Sequence, residues 1–420
     1  MRLVGRTLLL ALGASGCSSH SSLDTPISDP AALSRLEPEP AAPPPPDPLR
    51  ELFLQVAAAR GLEPGPTPAV VALPARQLAR RALEQFAQDV PEGVRRAQAQ
   101  LLARLELVPG DFDLSAALES AWVGQLQALY VGTPPTLFVD RALSGVARRR
   151  ALAHELVHTL QDQRHGLSRR FAYEPDGWDR QSALHALAEA DALAVVEQLG
   201  GSAAGESAAF EPEASAQVPG VIACSLAAPY LDARARVSEL LASGGFAALD
   251  ALFVDPPRST HQLLHPGEPA GSPSAEPALL APGSDWSATY HDVLGEQSLR
   301  CVLEQWVSDA EAATLAGSWA ADRVSSFAGG GETAIVWELT FDRPARAADV
   351  AQLLVAHLDL RPASGRASAP VSEWNCGAHS DSGVVGVLRR GVRVVFASLS
   401  VPVSGGCVSL EKWIRGTGPK

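Results

Sequence analysis

Five consecutive residues, His154-Glu155-Leu156-Val157-His158, constrain this chain more than any other feature. The apolar residues around them recur with a helical period, which predicts a helix from about Val146 to Gln163. Residues four apart lie on one helical face, so both imidazoles point at a single ion about one turn apart. That is the geometry zinc requires. Glu155, offset by about 100° around the helix, is not a ligand in this arrangement. It stands where it can take a proton from a zinc-bound water and return it to a leaving amine.

A catalytic zinc needs a third protein ligand and an open position. A second predicted helix, from about Gln181 to Leu199, carries Ala188-Glu189-Ala190-Asp191-Ala192 amid Ala and Leu. A solitary carboxylate there is costly unless paired or metal-bound, so Glu189 is the best third ligand. Asp191 and Glu197 compete on the same helix, Asp191 pointing about 200° away from Glu189. His165 does not serve: the metzincin pattern wants Gly three and His six residues after the second histidine, where this chain has Gln161 and Arg164. No Gly-any-Ser-any-Gly elbow is present, and Gly329 to Gly331 lack the Lys of a phosphate loop.

The 420 residues are 46% hydrophobic with a mean hydropathy of +0.04, which places them in the soluble globular class and excludes a multi-span membrane protein. A net charge of −13 argues against nucleic-acid binding. Residues 1–16 read as a signal peptide, with Arg2 and Arg6, a short apolar run and small residues before Cys17. That junction resembles the lipobox of bacterial lipoproteins, which implies a lipid anchor on Cys17 and an exported, envelope-bound chain; plain secretion is the alternative. Residues 17–48 form a Pro-rich tether. Beyond Cys17 lie Cys224, Cys301, Cys376 and Cys407, an even number that suggests two disulfides in an exported chain. Sequence proximity and domain division favour Cys224 with Cys301 and Cys376 with Cys407.

The expected fold class is α+β: a mostly helical, zincin-like domain with a small β-hairpin over 49–300, then an α+β domain over 301–420. Helices are predicted at Leu49 to Gly61, across Pro74 to Leu107, over Leu226 to Leu252 and from Gly295 to Asp309. A strand, turn and strand span Gln127 to Asp140. The C-terminal part should hold strand Ala334 to Phe341, helix Ala347 to Leu358, and strands Val384 to Leu388 and Val392 to Ser400. Pro256 to Pro282 reads as a Pro-, Gly- and Ser-rich connection. Trp178, between the two site helices, is either a cleft rim or a packing anchor.

The motif, a Glu some thirty residues later, and the extension Thr159-Leu160-Gln161-Asp162-Gln163 resemble the gluzincin zinc metallopeptidases. They are most similar to an exported or membrane-attached bacterial and archaeal group with a His-Glu-Leu-any-His-any-Leu-Gln-Asp-Gln helix. Leu129-Tyr130-Val131, the run Pro256 to Pro266, and Leu294-Gly295-Glu296 also resemble that group, as do Trp319, Asp322 and Trp337. The resemblance implies His154, His158 and Glu189 as zinc ligands and Glu155 as general base and acid. Three departures stand out: Ala190 stands between Glu189 and Asp191 where the group commonly has Gly. His261 replaces a usual Glu, and Leu193 stands where better-studied gluzincins carry an orienting Asp. Support for the ligand histidines is then expected from Asp162 or a backbone carbonyl. The expected activity is zinc-dependent hydrolysis of a peptide or protein substrate, with Tyr230, His261 or His265 as the extra oxyanion donor. The alternative is a non-catalytic zinc-binding lipoprotein with a scaffold role.

Overall fold

The computed structural model describes residues 47–123, 125–200, 218–268, 282, 285–362, 373–379, 383–400 and 406–416. The expected signal peptide, Cys17 and all but the last two residues of the tether lie outside them. Helix α1 (Pro48–Arg60) starts where the Asp47 carboxylate accepts the Leu49 N–H and ends at Gly61 in the left-handed region. Strand β1 (Ala69–Leu73), helices α2 (Ala75–Asp89), α3 (Glu92–Arg104) and α4 (Leu114–Trp122), and the hairpin strands β2 (Ala128–Gly132) and β3 (Pro135–Asp140) follow. Next come α5 (Gly145–His165), the short α6 (Leu167–Arg170), α7 (Trp178–Gln198), α8 (Gly220–Asp232) and α9 (Arg234–Val254).

The expected connection after Pro256 contains a short helix, α10 (Thr260–Leu264), begun by Ser259, whose hydroxyl accepts the Gln262 N–H. Then come β4 (Ser287–Asp292), α11 (Gly295–Leu303), α12 (Asp309–Ala316), β5 (Trp319–Gly329), β6 (Glu332–Phe341) and α13 (Pro344–His357). The chain closes with β7 (Arg361–Pro362), β8 (Trp374–His379), β9 (Gly383–Arg390), β10 (Arg393–Leu399) and α14 (Cys407–Gly416). The helix expected from Gly295 to Asp309 ends earlier, at Leu303, and Ser308 caps a separate helix, α12, that begins at Asp309.

The fold is mixed α+β, with two sheets among the described residues. In the smaller, the predicted hairpin β2–β3 is antiparallel and gains β1, parallel to β3, giving the order β1-β3-β2. The larger is antiparallel, ordered β4-β5-β6-β10-β9-β8-β7. It recruits β4 from ahead of residue 301, the expected domain boundary. Side chains alternate across it with the strand period of two. Ile335, Trp337 and Leu339 of β6 face a core shared with α11, α12 and α13, while Ala334 and Val336 face a smaller core under α14.

The sulfurs pair as the sequence favours. Cys224 on α8 is bonded to Cys301 on α11, and Cys376 on β8 to Cys407 on α14, with Cα separations of 5.5 and 5.8 Å. Residues Gly220–Val254 are long and apolar enough to cross a membrane, although the helical run breaks at Gly245 (φ 62, ψ −161).

A separate core lies among α1, α5, α7, α9 and the hairpin. Every residue of α5 from Ala151 to Gln161 is buried, so this helix has no solvent face there and its polar side chains must find partners inside the protein. At the other end of α7, Asp292 accepts the Trp178 N–H and Val293 the Asp179 N–H, so the sheet's edge strand caps a site helix. Trp178 is a packing anchor, half-buried against the larger core.

Candidate metal centre

Helices α5 and α7 bring His154, His158 and Glu189 together, one ligand atom from each lying within 4.8 Å of the others. His154 Nε2 is 3.1 Å from Glu189 Oε2 and 3.0 Å from His158 Nε2. The His158 Nε2 to Glu189 Oε2 distance is 3.6 Å. All three side chains are buried, at 5, 0 and 0% exposure.

Electrostatics shows what this convergence demands. Burial would raise the Glu189 carboxyl, but His158 and the imidazole hydrogen bonds hold it well below the usual carboxylate range. Burial would lower His158, yet the Glu189 charge outweighs it and takes the imidazole up to about 9. The buried carboxylate thus favours the charged form of His158. Two imidazoles and one carboxylate are also the donor set of a catalytic zinc, so the residues fit that ion.

The tautomer of His158 follows from its neighbour. Gln161 donates its amide N–H groups to the Ala188 carbonyl (3.0 Å) and Asp191 Oδ2 (2.9 Å), which leaves Gln161 Oε1 as an acceptor. His158 Nδ1, 2.8 Å away, must donate to it, which leaves Nε2 as the ring atom that faces the cluster and that an ion would take. Gln161, and not Asp162 or a backbone carbonyl, therefore orients this histidine.

Asp162 does other work. It accepts from the Tyr130 hydroxyl and the Ser168 N–H, fastening β2 to α5. A Cβ at Gly132 would collide with Ser168 Oγ, so only glycine permits this approach. Tyr130 also donates its backbone N–H to Glu155 Oε2 at 2.8 Å, fixing the carboxylate beside the cluster; Glu155 is fully buried.

The competing acids face elsewhere. Asp191 is paired with Arg60 of α1, 2.7 Å from its Nε, and neither is exposed. Arg60 reaches Asp250 as well and lies over the Phe246 ring, 4.5 Å from its centroid. Burial lowers the Arg60 pKa, but Asp191 and Asp250 more than restore it. Glu197 pairs with Arg234 at the surface. His185, which the sequence reading missed, lies one turn before Glu189 and sits 3.1 Å from its Oε1. A histidine four residues ahead of the ligand Glu on one helix was the available signal.

Of the three expected oxyanion donors, Tyr230 lies on α8, while His261 and His265 engage Glu296 of α11. Those three form a second group whose ligand atoms also lie within 4.8 Å of one another. A third such group, Cys224, Cys301 and Glu304, has both sulfurs committed to a disulfide.

Fold and side chains together define a mixed α+β protein that holds, among the described residues, two His-His-Glu clusters, each able to hold a metal ion. Within it, residues 286–402 match a family model described as a domain of unknown function, DUF8575. That span holds the seven strands of the larger sheet and supplies Glu296. No curated protein and no solved structure matches the chain.

Proposed function

We propose that the chain is a zinc-dependent peptidase, exported and held at a membrane through Cys17, with His154, His158 and Glu189 as ligands. The observation that carries this reading is the convergence of three buried ligand atoms within 4.8 Å, with Glu155 fixed beside them on the same helix. The two disulfides support an oxidising compartment.

A bound zinc supplies Lewis acidity, polarising a carbonyl and acidifying a water. The chain supplies the rest. Gln161 holds His158 in the tautomer that offers Nε2, and the Arg60–Asp191 pair holds Gln161. The Glu155 carboxylate, oriented by the Tyr130 N–H, takes one proton from water and passes it to the nitrogen leaving the scissile bond, giving a carboxylic acid and an amine. His185 is the further polar group at the cluster that faces partly outward, 24% exposed.

One observation favours a second reading. Glu155, His158 and Glu189 have no solvent exposure, so catalysis requires an opening that admits a peptide, whereas a non-catalytic zinc-binding lipoprotein requires none. Zinc analysis and peptide hydrolysis by wild type and Glu155→Gln separate the two. The peptidase reading expects zinc in both and hydrolysis in the wild type alone. Zinc in both with no hydrolysis by either selects the second reading, and absence of zinc rejects both.

A further inference from the structure

The chain contains the histidine spacing twice. His154-Glu155-Leu156-Val157-His158 is matched by His261-Gln262-Leu263-Leu264-His265, and each pair faces a glutamate from another helix. We propose that His261, His265 and Glu296 form a second divalent-metal site of the zinc class that serves structure and not hydrolysis, joining the segment around α10 to the sheet-bearing part of the chain.

Geometry comes first. His261 Nδ1 is 2.5 Å from Glu296 Oε2, and His265 Nε2 is 3.0 Å from Glu296 Oε1. Tetrahedral zinc sets its ligand atoms roughly 3.3 Å apart, so small rotations about these side chains admit the ion. His261 and Glu296 are buried, at 8 and 5%, and His265 is 33% exposed, which leaves a side from which an ion enters. Glu268, largely exposed and 3.5 Å from His261 Nε2, stands at the rim.

The backbones carrying these ligands are fastened independently of any ion. The Thr260 hydroxyl donates to Asp179 Oδ1 (2.6 Å) and accepts the Gln297 N–H (3.1 Å), so the residue before His261 is stitched to the residue after Glu296. Asp322 accepts the N–H groups of Leu294 and Gly295 and the indole N–H groups of Trp319 and Trp337, all at 2.9 to 3.1 Å. Gly295 adopts φ 77, and a Cβ there would collide with the Asp179 carboxylate, so no other residue lets α11 begin at this point. The Trp319 ring lies against His261, centroids 5.8 Å apart. A site with ligands held this way needs little ordering when it binds.

What the second copy lacks assigns its role. Gln262 replaces the proton-carrying Glu155, and a neutral amide cannot take a proton from water at neutral pH. Its Oε1 is turned away to accept the Arg258 N–H at 2.8 Å. The carboxylate that does lie near, Glu268, faces His261 Nε2 and not the Nδ1 turned to Glu296. Donors sufficient for an ion, with no carboxylate on their own helix placed as Glu155 is, describe a metal that ties two segments together.

The test is a Zn2+ titration of the full chain after chelation, with bound metal counted by mass spectrometry and folding checked by circular dichroism. The wild type should bind two equivalents, His265→Ala one, and the double variant His154→Ala/His158→Ala one. The last arm keeps this proposal separate from the peptidase reading, since the junction site fills whether or not the deep one does. Cobalt titration of the unaltered chain adds a readout that needs no substitution: two absorbance steps support the proposal. A single equivalent in the wild type that His265→Ala leaves in place would overturn it, because Glu296 would then hold both imidazoles by hydrogen bonds alone.

Discussion

The deep cluster of His154, His158 and Glu189 and the junction cluster of His261, His265 and Glu296 have the same donor set at the same histidine spacing, and they differ in what surrounds them. The deep pair sits on a stretch of helix, Ala151 to Gln161, that is buried on every side, backed by a fixed chain from His158 through Gln161 and Asp191 to Arg60, with a carboxylate beside it. The junction pair straddles a helix of five residues and its cap, keeps one imidazole partly in solvent, and has an amide where the carboxylate stood. Helix α7 connects them: Asp179 at its start touches the junction, and Glu189, ten residues on, lies about 15 Å along its axis. Donor identity decides whether an ion can bind, and the neighbouring acid and the backing network decide what the ion can then do.

The largest expected effect concerns that acid. Glu155→Gln should lower peptide hydrolysis about 100- to 10,000-fold while zinc is retained, whereas Gln262→Ala at the matching junction position leaves the rate unchanged. Equal rates for Glu155→Gln and wild type would erase the functional distinction between the clusters.

Next comes the backing. Arg60→Ala strands a buried Asp191 and should cost about 3–5 kcal/mol in urea unfolding. Glu268→Ala, at the exposed rim of the junction, should stay within about 0.5 kcal/mol of wild type. Comparable losses would mean that the deep network is no stiffer than the shallow one.

Gln161→Ala frees His158 Nδ1 and should weaken zinc at the deep site about 10- to 100-fold, leaving junction affinity as it was. Competition against a chromophoric chelator reads both constants, and an unchanged deep constant would show that Gln161 does not fix the imidazole.

The smallest effect is in pH. Asp292, at the junction end of β4, is taken up to about 7, chiefly by burial, against the opposing Trp178 and Val293 N–H groups. Asp176 and Asp322 add to the rise, and Tyr173 lies close by. The native state therefore holds a proton that the unfolded state releases near pH 4, so this contribution is complete below that point and is lost as pH rises through about 7. Asp292→Asn should flatten that decline and stabilise the chain at pH 8 by about 1–2 kcal/mol. Parallel stability curves for the two proteins would remove Asp292 as the source.

The two site helices were legible because a helical period and a four-residue spacing are local properties, and Glu189 could be chosen because a lone acid among alanines needs a reason. Gln161 is equally local, three residues after His158 on the same face, but a glutamine there signals first that the metzincin glycine is missing and only then a partner for the imidazole. Arg60 was not legible, since it meets Asp191 across 131 positions. Strand β5 hid for another reason: Asp322, Ser325 and Ser326 are buried in it, so it lacks an apolar signature. Helix α10 disappeared among prolines and glycines for want of length.

The Cys224–Cys301 bond closes a covalent ring over a sequence separation of 77, and His261, His265 and Glu296 all lie inside it. Unfolding an oxidised chain cannot disperse them beyond that ring, so their effective concentration for one another stays high when the rest of the structure is lost. The deep ligands have no such tether. An ion captured by the ring during refolding would form the junction first and give α7 a fixed end from which to present Glu189.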